Sequence, residues 1–227
     1  MYFDPMYMMI IFVTMGLSLW AQAKVKGAYA KYSKVVSRSG MTGADIAQWM
    51  MNQEGITDVA LECIPGELTD HYDPTAKVVR LSQGVYGGRS VASLGIAAHE
   101  IGHVIQHARG YAPLNMRSFM YPTASIGTKL AFPLIFIGLI ASQFSFLIMV
   151  GVLLFAASTA FTLVTLPVEF NASSRALAAL EQGGILDSEE MPGARAVLGA
   201  AAWTYVAAAV ASVLMLLYYI SLANRRN

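Results

Sequence analysis

From Leu130 to Pro167 the chain carries no Asp, Glu, Lys or Arg, and a charge-free apolar run of that length has no place in the core of a small soluble domain. Crossing the hydrocarbon core of a bilayer takes about 20 helical residues. The run is too long for one crossing and too short for two, unless the first begins before Lys129. A hairpin over residues 121–166 fits it, with one helix from about Tyr121 to Ala141, a polar turn "SQFS" at Ser142 to Ser145, and a second helix ending at Leu166. Two further runs of sufficient length lie at residues 6–23 and 200–222. The chain is therefore expected to be a mainly α-helical integral membrane protein with about four transmembrane helices. Composition agrees, since 13% of the 227 residues are charged against about a quarter in soluble domains.

The net charge of +1 gives a nucleic acid no electrostatic reason to bind, so the lipid bilayer is the expected partner. The lone Cys63 excludes an intrachain disulfide and any multi-cysteine zinc site.

"AQA" at Ala21 to Ala23 resembles a signal-peptide cleavage site. However, "MYFDP" before the first apolar run lacks the basic residues of an export signal and carries Asp4. Lys24, Lys26, Lys31, Lys34 and Arg38 follow the run, and the positive-inside rule places such a cluster in the cytoplasm. With the N-terminus outside, parity puts both polar sections, residues 24–118 and 167–199, in the cytoplasm. It sends Arg225 and Arg226 outside, a mild conflict that five basic residues outweigh.

Within residues 24–118, "MTGADIAQWMMNQEG" reads as a helix with Thr42 as N-cap, Ile46, Trp49 and Met50 on one face, and Gly55 as its stop. Val59 to Ile64 and Lys77 to Ser82 read as β-strands around an Asp73-Pro74 turn. Next comes a helix of about residues 90–109, with Ser90 as N-cap and Gly110 just past its end.

That helix holds "AAHEIGHVIQH". His99 and His103 are four apart, so their rings leave one face one turn apart and can reach a single ion. Zinc takes two imidazoles and keeps a position for water. Glu100, beside the first histidine, is placed to act on that water as general base. Gly102 between the ligands permits close approach of another backbone.

A catalytic site needs a third ligand. Arg109 stands where the metzincin pattern requires a histidine, so that class is excluded. His107 lies about 12 Å from His99 along the axis, too far for the same ion, and reads as an imidazole near the helix C-terminus. His71, in or beside a turn, reads as structural or solvated. Among carboxylates Glu169 is favoured: it follows Pro167 in "TLPVEFNASSRALAALEQGG", in what reads as the first turn of a helix ending at Gly183-Gly184. Glu62, Glu67, Asp70, Asp73 and Glu181 remain open on spacing alone.

"AAHEIGHVIQH", "LPVEFNASSRAL" and "YDPTAKVVRLSQGVY" together resemble the YugP-type neutral zinc metallopeptidases, bacterial membrane proteins of the gluzincin clan related to HtpX-like proteases. The resemblance covers nearly the whole chain. It implies Zn2+ as cofactor, His99, His103 and Glu169 as metal ligands, Glu100 as catalytic base, and a small α+β gluzincin-like catalytic domain built around the zinc-binding helix. In the HtpX-like relatives an Asp orients a ligand histidine. Ser173 stands at that place here, so the resemblance leaves Asn171, Ser173 or Ser174 to supply a neutral hydrogen bond. It also implies that Lys77 to Ser82 is the edge strand that pairs with extended substrate.

The activity so implied is that of a metalloendopeptidase of the bacterial cytoplasmic membrane, multi-pass, with its site facing the cytoplasm and membrane-proximal or unfolded polypeptide as substrate. The alternative is a zinc-stabilised scaffold or chaperone-like protein, which has no use for Glu100. A transporter is disfavoured by the absence of repeats and of acids within the spans. Tyr111, Arg175 and Tyr205 are available as a second electrophile. Lys129 is expected to snorkel toward the interface. Ser188, with Glu189 and Glu190, reads as the N-terminus of a helix entering the fourth span and roofing the cleft, with Gly183-Gly184 as its hinge.

Overall fold

The computed structural model describes residues Asp4 to Arg225, so Arg226 lies outside the described residues. Seven helices and three strands follow one another as α1 (Pro5–Tyr32), α2 (Gly43–Gln53), β1 (Ala60–Ile64), β2 (His71–Asp73), β3 (Val78–Ser82), α3 (Gln83–Tyr86), α4 (Val91–Ala108), α5 (Ala112–Ile140), α6 (Phe146–Gln182) and α7 (Met191–Asn224). Four of these, α1, α5, α6 and α7, are long and apolar enough to cross a membrane. The protein is thus a mainly helical membrane protein with a small α+β region.

The chain divides into two compact units, one of residues 1–20, 115–167 and 204–227, the other of residues 21–114 and 168–203. The first is held by small residues and hydroxyls, as expected where lipid removes the hydrophobic drive between helices. A Cβ on Gly127 would lie 2.6 Å from Ser158 Oγ, and that hydroxyl donates to Ala124 O at 2.9 Å, joining α5 to α6. Thr162 and Ser212 share a hydrogen bond of 2.9 Å from α6 to α7. Ile135, Leu139, Ile148, Val152 and Tyr219 form its apolar core. Lys129 is exposed on α5. The "SQFS" turn is a single 3-10 turn, Ser142–Phe144.

In the second unit α4 is the central element. From Val91 to Ala98 every residue is buried, a pattern that belongs to a helix enclosed on all sides. Its N-cap is Ser90, whose Oγ accepts from Ser93 N at 3.1 Å. Its end is set by Gly110 at φ +61. Helix α2 packs beside it, started by a capping box in which Thr42 and Asp45 each bond the other's backbone. Leu94, Ile101, Met50, Ile46 and Leu180 are fully buried in the shared core, each contributing on the order of 1.5–3 kcal/mol.

Two expectations are corrected. Helix α6 does not break at Pro167 but runs through it, so Glu169 lies in mid-helix rather than in a first turn. The physical reason is a row at i, i+4 spacing, Val168, Ala172, Ala176 and Leu180, all with no exposure; this burial outweighs the hydrogen bond that proline removes. Strand β3 is not an edge. The sheet order is β1-β3-β2, with β1 parallel to β3 and β2 antiparallel to it. Beyond β2, the Ser82 amide is taken by Asp70 Oδ1 at 2.7 Å. His71 lies in β2, a strand of three residues beside the turn at residues 74–77, and is exposed.

The segment before α7 also differs. Helix α7 begins at Met191, and Asp187 rather than Ser188 caps the preceding turn, its Oδ1 accepting from the amides of Glu189 and Glu190. Gly184, at φ +62, ends α6 with Ile185 N bonded to Leu180 O. A side chain on Gly183 would run into the Trp49 ring. Gly183 is packed against Trp49, and Gly184 takes the left-handed conformation that ends the helix.

Candidate metal centre

The site is made where α4 crosses α6. A Cβ on Gly102 would lie 2.6 Å from Ala172 O and 3.0 Å from its Cα, so the two backbones meet at van der Waals distance there. His99 and His103 flank Gly102 on α4, and Glu169 and Ser173 flank Ala172 on α6. One close helix contact therefore places all four side chains.

Their geometry is that of a donor set. His99 Nε2 lies 3.4 Å and His103 Nε2 3.5 Å from Glu169 Oε2, and one ligand atom from each of the three residues falls within 4.8 Å of the others. Four ligands around zinc at about 2.0–2.1 Å stand about 3.3–3.4 Å from one another if tetrahedral. The two histidine-to-carboxylate separations lie close to that edge, and the two-imidazole, one-carboxylate chemistry suits the ion. Glu169 is 3% exposed. Burial alone would lower the His103 pKa, but the hydrogen bond to Glu169 and the charge of Glu100 hold it above its ordinary value.

Each imidazole is held through its other nitrogen. Ser173 Oγ lies 3.1 Å from His99 Nδ1, and Gln106 Oε1 lies 3.1 Å from His103 Nδ1. Both partners are neutral. Of the three residues named for this role from sequence, Ser173 meets a histidine directly. Asn171 is one link further away, accepting from Gln106 Nε2 at 3.0 Å, and Ser174 is exposed. Glu100 follows His99 on α4 and is 8% exposed.

This chain matches the family model described as "Putative neutral zinc metallopeptidase" over residues 7–224. The chain belongs to that family. Within the neutral zinc metallopeptidases it is 46% identical over 216 residues to the "Putative membrane protease YugP" of Bacillus subtilis (strain 168), covering 94% of this chain and 96% of the relative. No solved structure matches it. Membership of a zinc peptidase family agrees with the donor set that α4 and α6 assemble.

The other acids are placed elsewhere. Glu62 and Asp73 pair with Arg80, and Asp70 accepts from Ser82 at the end of β3. His107 Nδ1 is 2.7 Å from the Tyr72 hydroxyl, which ties α4 to β2 rather than to the helix-end carbonyls. Arg175 Nε donates to Asn171 Oδ1 at 2.8 Å. Sequence reasoning missed Gln106 and Tyr72. The signal for Gln106 was present, a glutamine three residues after His103 and so on the same helix face. Tyr72 depends on a sheet order that no local pattern encodes.

Proposed function

We propose that the protein is a zinc metalloendopeptidase of the bacterial cytoplasmic membrane, with His99, His103 and Glu169 as metal ligands and Glu100 as general base. The observation that carries this reading is the set of Nε2 to Oε2 separations of 3.4 and 3.5 Å, which suits a tetrahedral ion. Zinc bound there would act as a Lewis acid, lowering the pKa of water and polarising the scissile carbonyl. Glu100 takes the proton from the attacking water as the new C–O bond forms. It then gives that proton to the leaving amine as the C–N bond breaks. Ser173 and Gln106 hold the two imidazoles by their Nδ1 atoms, which leaves each Nε2 on the side of Glu169.

Extended substrate pairs with β2, whose outer side carries no strand among the described residues. The link from Tyr72 to His107 brings this edge beside α4, one turn past His103. Main-chain pairing of this kind reads an unfolded or membrane-proximal segment by its backbone. The basic cluster that follows Ala23, from Lys24 in α1 to Arg38 beyond it, supports a cytoplasmic site. Residues 21–114 and 168–203 form one compact unit, as parity requires if both lie on one side of the membrane.

The test compares wild type with Glu100→Gln in detergent, using a degenerate peptide mixture. Cleavage is expected to fall by at least about 100-fold, with zinc content unchanged. Activity retained by the variant would remove Glu100 from its role.

A further inference from the structure

Gln106 is a glutamine with no exposure, and a buried amide must have each of its polar atoms satisfied. Its partners leave no freedom in how it points. The Val168 carbonyl, 2.7 Å away, can only accept, so the NH2 of Gln106 faces it. The same NH2 donates to Asn171 Oδ1 at 3.0 Å. That oxygen is identified independently, because it also receives Arg175 Nε at 2.8 Å, and a guanidinium N–H only donates. With its nitrogen committed, Gln106 presents its oxygen to His103 Nδ1 at 3.1 Å. His103 Nδ1 must then carry the proton and donate it, leaving the Nε2 lone pair for the side where Glu169 lies.

We infer that Gln106 is the positioning residue of the metal centre, fixing the tautomer of His103 and tying it, through Val168 O, to the turn of α6 that carries Glu169. The inference rests on the assignment of His103 and Glu169 as metal ligands. One amide sets the orientation of a ligand on α4 and grips the backbone next to a ligand on α6. The contrast with His99 is chemical. Its partner, the Ser173 hydroxyl, can donate or accept and so does not dictate which ring nitrogen is protonated.

Metal-binding histidines lose about 10–100-fold in affinity when the group orienting them is removed. The test uses the full chain purified in detergent, as wild type, Gln106→Met and Leu180→Ala. Methionine keeps the length of the side chain and removes its hydrogen bonds. Leu180 is fully buried in the same core and touches no ligand partner named above, so its truncation lowers thermal stability without altering how His103 is held. Zinc dissociation constants come from chelator competition, unfolding temperatures are taken on metal-free protein, and the visible absorption of the Co2+-substituted forms reports donor geometry.

Gln106→Met is expected to weaken zinc binding by about 10–100-fold and to shift the Co2+ bands. Leu180→Ala is expected to unfold at a lower temperature with wild-type affinity and spectrum. Wild-type affinity and an unshifted spectrum in Gln106→Met would overturn the inference, as would equal weakening in Leu180→Ala. Failure of the wild type itself to bind zinc would instead overturn the ligand assignment on which the inference stands.

Discussion

Gly102 shows how much of the centre depends on a missing side chain. Replacing it with alanine raises intrinsic helix stability by about 0.5–1 kcal/mol. The new methyl, however, would stand 2.6 Å from a backbone oxygen of Ala172, which cannot swing aside as a flexible side chain can. Overpacking of this kind costs about 1–3 kcal/mol, so the steric term wins. Gly102→Ala is expected to melt below wild type and to lose about tenfold or more in zinc affinity, because the strain is relieved by parting the helices that carry the ligands. A variant more stable than wild type, with unchanged zinc binding by chelator competition, would refute this account. His99, Glu100 and His103 were legible in the sequence because their relation is set inside one helix by its 3.6-residue period. From the residues alone Glu169 was only favoured by its place after an apolar span, since its approach to the histidines is a tertiary fact, and it was the family resemblance that implied it as a ligand. Gln106 was overlooked because its meaning lies in Val168 and Asn171, more than 60 residues away.

Among the elements, α4 and its caps could be read from Ser90 and Gly110, and α2 from Thr42, because caps act over three or four residues. The sheet could not. The composition of β3 marks it as a strand but does not say whether one side of it or both sides are paired. Asp70 illustrates the outcome, since its carboxylate accepts both the amide and the hydroxyl of the buried Ser82 where β2 ends. Burial raises the Asp70 pKa, and the Ser82 hydrogen bonds only partly oppose it. A carboxyl whose folded pKa lies above its unfolded value of about 3.9 contributes stability that is fully present below the unfolded pKa. That contribution is lost as pH rises through the folded pKa. Asp70→Asn keeps an oxygen to accept from Ser82 and has no such titration. Its unfolding temperature, relative to wild type at each pH, is therefore expected to rise between pH 4 and pH 7. A difference that stays constant across that range would show that Asp70 does not titrate as argued. Asp70→Ala, which strands the Ser82 amide, is expected to cost about 1–3 kcal/mol.

For the whole molecule, the four long helices were evident from apolar run length alone, but their extent was not. Helix α1 continues to Tyr32 and α6 to Gln182, while α7 starts at Met191, well before the fourth apolar run and close to the start that the cap signal near Ser188 marks. Hydropathy marks the lipid-facing portion of a helix and is blind to the portion that continues into a folded unit, where burial against protein replaces burial in lipid. Here α6 carries this furthest, since the turn with Glu169 belongs to a different compact unit from the span that leads into it. The topology can be checked with the chain's own chemistry. Cys63 is the single cysteine and is exposed in the unit that holds the metal centre. If that unit faces the cytoplasm, a membrane-impermeant maleimide is expected to leave Cys63 unlabelled in intact cells and to label it in inverted membrane vesicles. A cysteine placed at Asn224 in a Cys63→Ser background is expected to show the reverse, because an odd number of crossings separates it from that unit. Labelling of Cys63 in intact cells would put the centre outside. The five basic residues after the first span would then have to be explained by something other than membrane topology, such as binding to anionic headgroups on the outer leaflet.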